Sequence, residues 1–144
     1  MKLLVRVLLI FFTLFCAAQD WQENYKGVLA MAQHEDKPIV LVFSGSDWCA
    51  PCIKLDRDIW QSEEFKSYSK QNYLLYRADF PRKKENKLKD QVVQQNKELA
   101  DRYNSKGYFP LVLVLDKNGN ILGETGYHKS TPKKYITLLN SFKK

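Results

Sequence analysis

The sequence predicts an α/β fold: a four-stranded mixed sheet with helices on both faces and one further helix at its N-terminal side. Three observations carry this. Apolar runs rich in β-branched and aromatic residues, at 39–43, 73–78 and 111–115, alternate with stretches whose apolar residues recur at helical spacing. The first two runs are joined through helical sequence, which makes them parallel neighbours. The turn Lys117-Asn118-Gly119-Asn120 leads from the third run into Ile121 and Leu122, which adds an antiparallel hairpin.

With 144 residues, 44% hydrophobic and 27% charged, the chain reads as one globular domain and not as a disordered segment. No repeat and no low-complexity stretch divides it.

The start has the build of a secretory signal peptide. Lys2 and Arg6 are positive, Val7 to Phe15 is apolar except for Thr13, and Cys16-Ala17-Ala18 ends the stretch with small residues. The expected organisation is therefore a signal peptide at 1–18, cleaved after Ala18, and a single domain at 19–144. An uncleaved anchor would need about 20 continuous apolar residues. Lipid attachment at Cys16 conflicts with the bulk of Phe15. Cleavage takes Lys2 and Arg6 from a formal charge of +7 and leaves +5; it also removes Cys16, so Cys49 and Cys52 remain as a lone close pair. In an exported chain such a pair points to redox chemistry more than to a disulfide framework.

Asp20 and Glu23 read as an N-cap with its capping-box partner, opening a helix to about Gln33 with Trp21, Tyr25, Val28, Leu29 and Ala32 on its apolar face. Pro38 stops it, and residues 39–43 form a strand buried on both faces. Residues 44–47 are a turn, and a helix begins near Cys49. Ser62 with Glu63 and Glu64 caps the next helix. After the strand at 73–78, residues 79–90 form a polar connection holding Arg82, Lys83, Lys84, Lys87 and Lys89. A helix at 92–103 and the strand Leu111–Leu115 follow, and Ser130-Thr131-Pro132 starts the last helix.

A cysteine attacks as its thiolate, and a free thiol has a pKa of about 8.5. A helix N-terminus lowers it, because unpaired N–H groups favour negative charge there. The strand at 39–43 delivers Cys49 to such a position. Two residues, Ala50 and Pro51, then bring Cys52 within bonding reach, and Pro51 stiffens the loop. Cys49 is the expected nucleophile and Cys52, the more buried, the resolving thiol. Zinc binding would need about four ligands, and only His34 and His128 accompany the pair, so no metal and no other cofactor is expected. Haem attachment would need histidine where Ile53 stands. A structural disulfide closing so short a loop would restrain the unfolded chain very little.

Trp48-Cys49-Ala50-Pro51-Cys52 after a buried strand resembles the thioredoxin active site, and Gly107-Tyr108-Phe109-Pro110 before a strand resembles the loop that carries that family's cis-proline. Gly45-Ser46-Asp47 before the motif and Asp79-Phe80-Pro81 after it are similar to one branch, the exported bacterial thioredoxin-like proteins of the periplasmic disulfide-reductase type. The resemblance covers residues 20–143. It implies a thioredoxin-like fold, a cis Pro110 beside the sulfurs, a Phe109 backbone that pairs with an extended substrate segment, and a Trp48 that walls the site. Family members often carry a buried carboxylate in the strand before the motif. Residues 39–43 have none; Asp47 and Lys54 are the nearest charges, and each reads equally as a stand-in for that group or as a solvated surface residue.

The resemblance implies an enzyme, a protein-disulfide reductase located in the periplasm. Its partners are protein substrates with disulfides and a membrane or periplasmic electron donor. The Ala-Pro dipeptide is nearer to the Gly-Pro of reducing thioredoxins than to a Pro-His oxidant pair. With no second domain or coiled dimerisation segment, the chain reads as a monomer and not as an isomerase. The alternatives left open are a disulfide oxidase or isomerase, and a thioredoxin-like binding or chaperone module. The basic loop Arg82–Lys89 is interrupted by Glu85 and followed by Asp90, and no aromatic interleaves, so it reads as a solvated loop with no nucleic-acid partner.

Overall fold

The computed structural model describes residues 20–143. The proposed signal peptide and its cleavage site after Ala18 lie outside the described residues. The elements run β1 (Trp21–Gln22), α1 (Tyr25–Glu35), β2 (Ile39–Ser44), α2 (Ala50–Leu55), α3 (Glu63–Asn72), β3 (Leu74–Asp79), α4 (Asp90–Tyr103), β4 (Leu111–Leu115), β5 (Ile121–Thr125) and α5 (Pro132–Ser141). A π-helical turn, Asp56–Trp60, continues α2, and a 3₁₀ turn, Lys84–Asn86, interrupts the basic connection.

The sheet has five strands in the order β1-β3-β2-β4-β5. Strands β1, β3 and β2 are parallel, while β4 runs antiparallel to both β2 and β5. The expected four strands are all present, and β1 is the addition. Trp21 and Gln22 pair with Leu75 and Tyr76 instead of opening the first helix. The N-cap is Asn24, whose side chain accepts the Gly27 N–H, so Asp20 and Glu23 do not form the expected capping box. The helix ends earlier than Pro38 alone requires. Asp36 turns left-handed (φ 52°), its N–H closes on Ala32 O, and its carboxylate takes Lys117 Nζ at 2.7 Å.

Strand β2 is buried along its whole length, and its alternation sorts the core into two layers. Ile39, Leu41 and Phe43 face Val28, Ala32 and Leu99 of α1 and α4. Val40 and Val42 face Leu55, Ile59, Trp60, Phe65 and Leu139, from α2 with its π turn, α3 and α5. Trp60 centres the second layer, with ring centroids 4.6 Å from Phe65, 5.4 Å from Tyr135 and 6.0 Å from Trp21. Ser62 and Thr131 cap α3 and α5 as expected, accepting from Phe65 N and Lys134 N. Gly119 adopts φ 82° in the β4–β5 turn, a conformation that favours glycine, and Tyr103 Oη donates to its carbonyl at 2.7 Å.

Candidate active site

The site forms where β2 ends. Phe43 stands opposite Leu111 across the β2–β4 ladder, so the loop after β2 and Pro110, just before β4, meet at one end of the sheet. Trp48 N–H and Cys49 N–H both close back on Gly45 O, at 3.2 and 2.9 Å. The Trp48 indole lies on Gly45 so closely that a Cβ there would come within 2.3 Å of the ring. Glycine is required at 45 by this contact and not by backbone dihedrals.

Cys49 is the N-cap of α2, in extended backbone, and its Sγ accepts the Cys52 N–H at 3.3 Å. The two sulfurs are joined in a disulfide across a Cα–Cα distance of 5.2 Å. Ala50 and Pro51 fill the exposed first turn. Burial does not separate the two cysteines as expected: Cys49 is 5% exposed and Cys52 3%.

Around the pair the side chains interlock. Phe109 meets Trp48 edge-on at 5.5 Å and Phe80 at 5.6 Å, and the Phe109–Pro110 bond is cis. Trp48 Nε1–H donates to Phe80 O at 2.7 Å, and the Arg82 guanidinium lies 3.8 Å over the indole. Trp48, Phe109 and Pro110 are thus brought together beside the disulfide loop. Tyr108 and Ile53 stay exposed on either side.

Sequence reasoning missed what ties this loop to the connection after β3. Asp47, read from the sequence as either a proton-transfer group or a solvated residue, accepts Arg82 N–H and Lys83 N–H at 2.9 Å each and the Asn86 Nδ2–H at 3.0 Å. The Arg82 N–H, then the Asn86 amide, hold its carboxyl below the ordinary aspartate range. Ser46 N–H donates to the Asp79 carboxylate, and Phe80 N–H donates to Ser44 O. The only local signal was an aspartate in a turn; its partners are 35 to 39 residues away.

A pH effect follows. Because the folded-state pKa of Asp47 is depressed, its stabilisation is present above the ordinary aspartate range and lost as pH falls through the shifted value. Amide-exchange protection at Arg82 and Lys83 is expected to drop across that acidic window. Asp47→Ala should show low protection at every pH and no such step, as measured by hydrogen exchange. Equal protection in both proteins would remove Asp47 as the anchor.

Among the described residues the buried polar or charged residues are Ser44, Ser69, Asn96 and Asn104. No carboxylate is among them, so a proton moving to or from the inner sulfur has no buried acid to carry it.

Residues 25–143 match the family model described as a thioredoxin-like domain. The chain belongs to the thioredoxin-like domain family. Within this thioredoxin-like family it is 34% identical over 125 residues to the disulfide bond reductase DsbH of Chlamydia pneumoniae, covering 87% of this chain and 74% of that protein. The solved structure of a DsbH oxidoreductase superposes with a TM-score of 0.79 at 32% identity, over 85% of this chain and 83% of that one. A thioredoxin from Thermus thermophilus, at 15% identity and a TM-score of 0.58 over 86% of this chain and 87% of that one, shares the thioredoxin-like fold.

Proposed function

We propose that this chain is an exported thiol–disulfide oxidoreductase that works as a reductase of protein disulfides. The observation that carries the reading is the placement of Cys49 at the cap of α2, its sulfur receiving a backbone N–H, in a disulfide with Cys52. That environment favours a thiolate once the bond is reduced.

In the proposed cycle the Cys49 thiolate attacks one sulfur of a substrate disulfide, and the other leaves as a thiolate that takes a proton from water. Cys52, deprotonated, then attacks the Cys49 sulfur of the mixed disulfide and releases the second substrate thiol. Two electrons pass from the cysteine pair to the substrate, and the pair ends as the disulfide seen here. An exported donor dithiol would reduce it again. Trp48 walls the site, and Phe109 offers an edge: within the described residues no backbone hydrogen bond uses its N–H or carbonyl. An extended substrate segment could pair there as an added strand. Export to the periplasm rests on the leader-like start, and the catalytic unit is proposed to be a monomer.

Equilibration of the protein with glutathione buffers tests direction. The reading predicts a potential near that of thioredoxin, about −270 mV. A value above about −180 mV would mark an oxidant or isomerase and overturn the reductase assignment. A binding module is the rival reading, supported by the aromatic cluster of Trp48, Phe80 and Phe109. It requires that Cys49→Ser/Cys52→Ser keep all activity in cells.

A further inference from the structure

Beside the disulfide loop the connection between β3 and α4 folds over a cavity of about 560 Å³. Its floor is apolar, from Phe80, Leu88 and Val93, and its rim carries Lys83, Lys84 and Lys87, all exposed. Lys83 and Lys84 have no ion-pair partner among the described residues, and Lys87 meets Asp90 at 3.6 Å, both side chains largely in water. The one acid in the lining, Asp79, is engaged by Ser46 N–H and Oγ. Three exposed lysines, one of them in a loose solvent-exposed pair with Asp90, thus surround an apolar pit with no opposing charge aimed into it.

The pit is continuous with the redox site. Phe80 forms part of its floor, touches Phe109 edge-on and accepts the Trp48 indole N–H. The rim is held in register with the cysteines, because Asp47, two residues before Cys49, receives the Arg82 and Lys83 N–H groups and the Asn86 amide. An ordinary solvated loop would need neither an apolar floor nor an anchor to the reacting residues.

We propose that this cavity is a docking site for an acidic segment of the partner protein, an apolar side chain seated on Phe80, Leu88 and Val93 with flanking carboxylates on Lys83, Lys84 and Lys87. The proposal deepens the oxidoreductase reading and rests on it for the identity of the partner, a protein whose disulfide or dithiol exchanges with Cys49. Charge complementarity selects the occupant: the rim attracts carboxylates at a distance, and the floor rewards one bulky apolar group. Partners with an acidic flank beside their reacting cysteine are thereby preferred over neutral ones.

The test compares two synthetic disulfide peptides identical around the cysteines, one flanked by Asp-Leu-Glu-Asp and the other by Asn-Leu-Gln-Asn. With the reduced protein, the ratio of second-order rate constants, acidic over neutral, should be about ten or more at low ionic strength. It should shrink as salt rises, because the rim charges are exposed, approach one in K83Q/K84Q/K87Q and fall below one in K83E/K84E/K87E. Equal rates for the two peptides, both above the uncatalysed background, on the unaltered protein overturn the proposal without recourse to any variant. A second measurement keeps docking apart from redox chemistry: binding of the acidic peptide, cysteines replaced by serine, to Cys49→Ser/Cys52→Ser protein. Docking with no exchange of either peptide by the unaltered protein would sink the oxidoreductase reading and leave the surface standing. Binding to anionic phospholipid vesicles without binding to the peptide would assign the patch to membranes and end this proposal.

Discussion

Cys52→Ser protein, reduced and offered a disulfide substrate, is expected to accumulate as a stable covalent adduct through Cys49. Cys49→Ser should form no adduct, and exchange should fall to the uncatalysed background in both. The asymmetry does not come from access, since the two cysteines are almost equally covered at 5% and 3% exposure. It comes from position. Cys49 caps the helix and its sulfur receives the Cys52 N–H, whereas Cys52 lies inside the first turn. A thiolate at the cap is held by backbone N–H groups that no longer need a helical partner. The rate of adduct formation by Cys52→Ser should therefore have its pH midpoint below the free-thiol value of about 8.5. Mass spectrometry of the trapped species and alkylation rates against pH check both parts. An adduct on Cys52 in the Cys49→Ser protein would reverse the assigned roles.

Trp60→Ala is expected to have the largest effect on stability of any single truncation in the second core layer, a loss of about 3–5 kcal/mol. Trp60 is 1% exposed and makes aromatic contacts with Trp21, Phe65 and Tyr135, which come from β1, α3 and α5. Removing the indole leaves a void between three elements that cannot all close on it. The backbone there is a π turn, fixed at both ends by α2 and by the Ser62 cap, so it has little freedom to follow. Urea titration should show a lower midpoint with an unchanged slope, the sign of lost stability without a changed unfolded state. A loss under about 1 kcal/mol would mean that the layer repacks, against the usual cost of such truncations.

The elements that were legible in the sequence announce themselves locally. Ser62 before two glutamates, Thr131 before Pro132, and Asn118-Gly119 in a hairpin each carry their turn or cap chemistry within four residues. So did the strand at 39–43 and the cysteine motif after it. What was missed depends on partners far along the chain. Strand β1 has two residues, too short for any alternation, and Asp20 and Glu23 happen to imitate a capping box, whereas the cap is Asn24 alone. Nothing local marks the π turn at 56–60. Trp48, Phe109 and Pro110 could be assigned to the site through their resemblance to known motifs. Asp47 could not, because an aspartate in a turn has the same composition whether it faces water or three donors from residues 82–86.

The pairing of β2 with both β3 and β4 governs the order in which this chain can fold. Ile39 lies beside Leu74 on one side and Leu115 on the other, so the central strand stays unpaired on one edge until residues 111–115 have been made. Closing such long loops must precede the contacts that reward it, which slows folding. A nascent chain ending before residue 109 would hold Cys49 and Cys52 with neither the β4 edge nor the Phe109–Pro110 loop beside them. Folding thus waits for β4, and until residues 111–115 have been made the segment before them stays extended and unpaired along that edge.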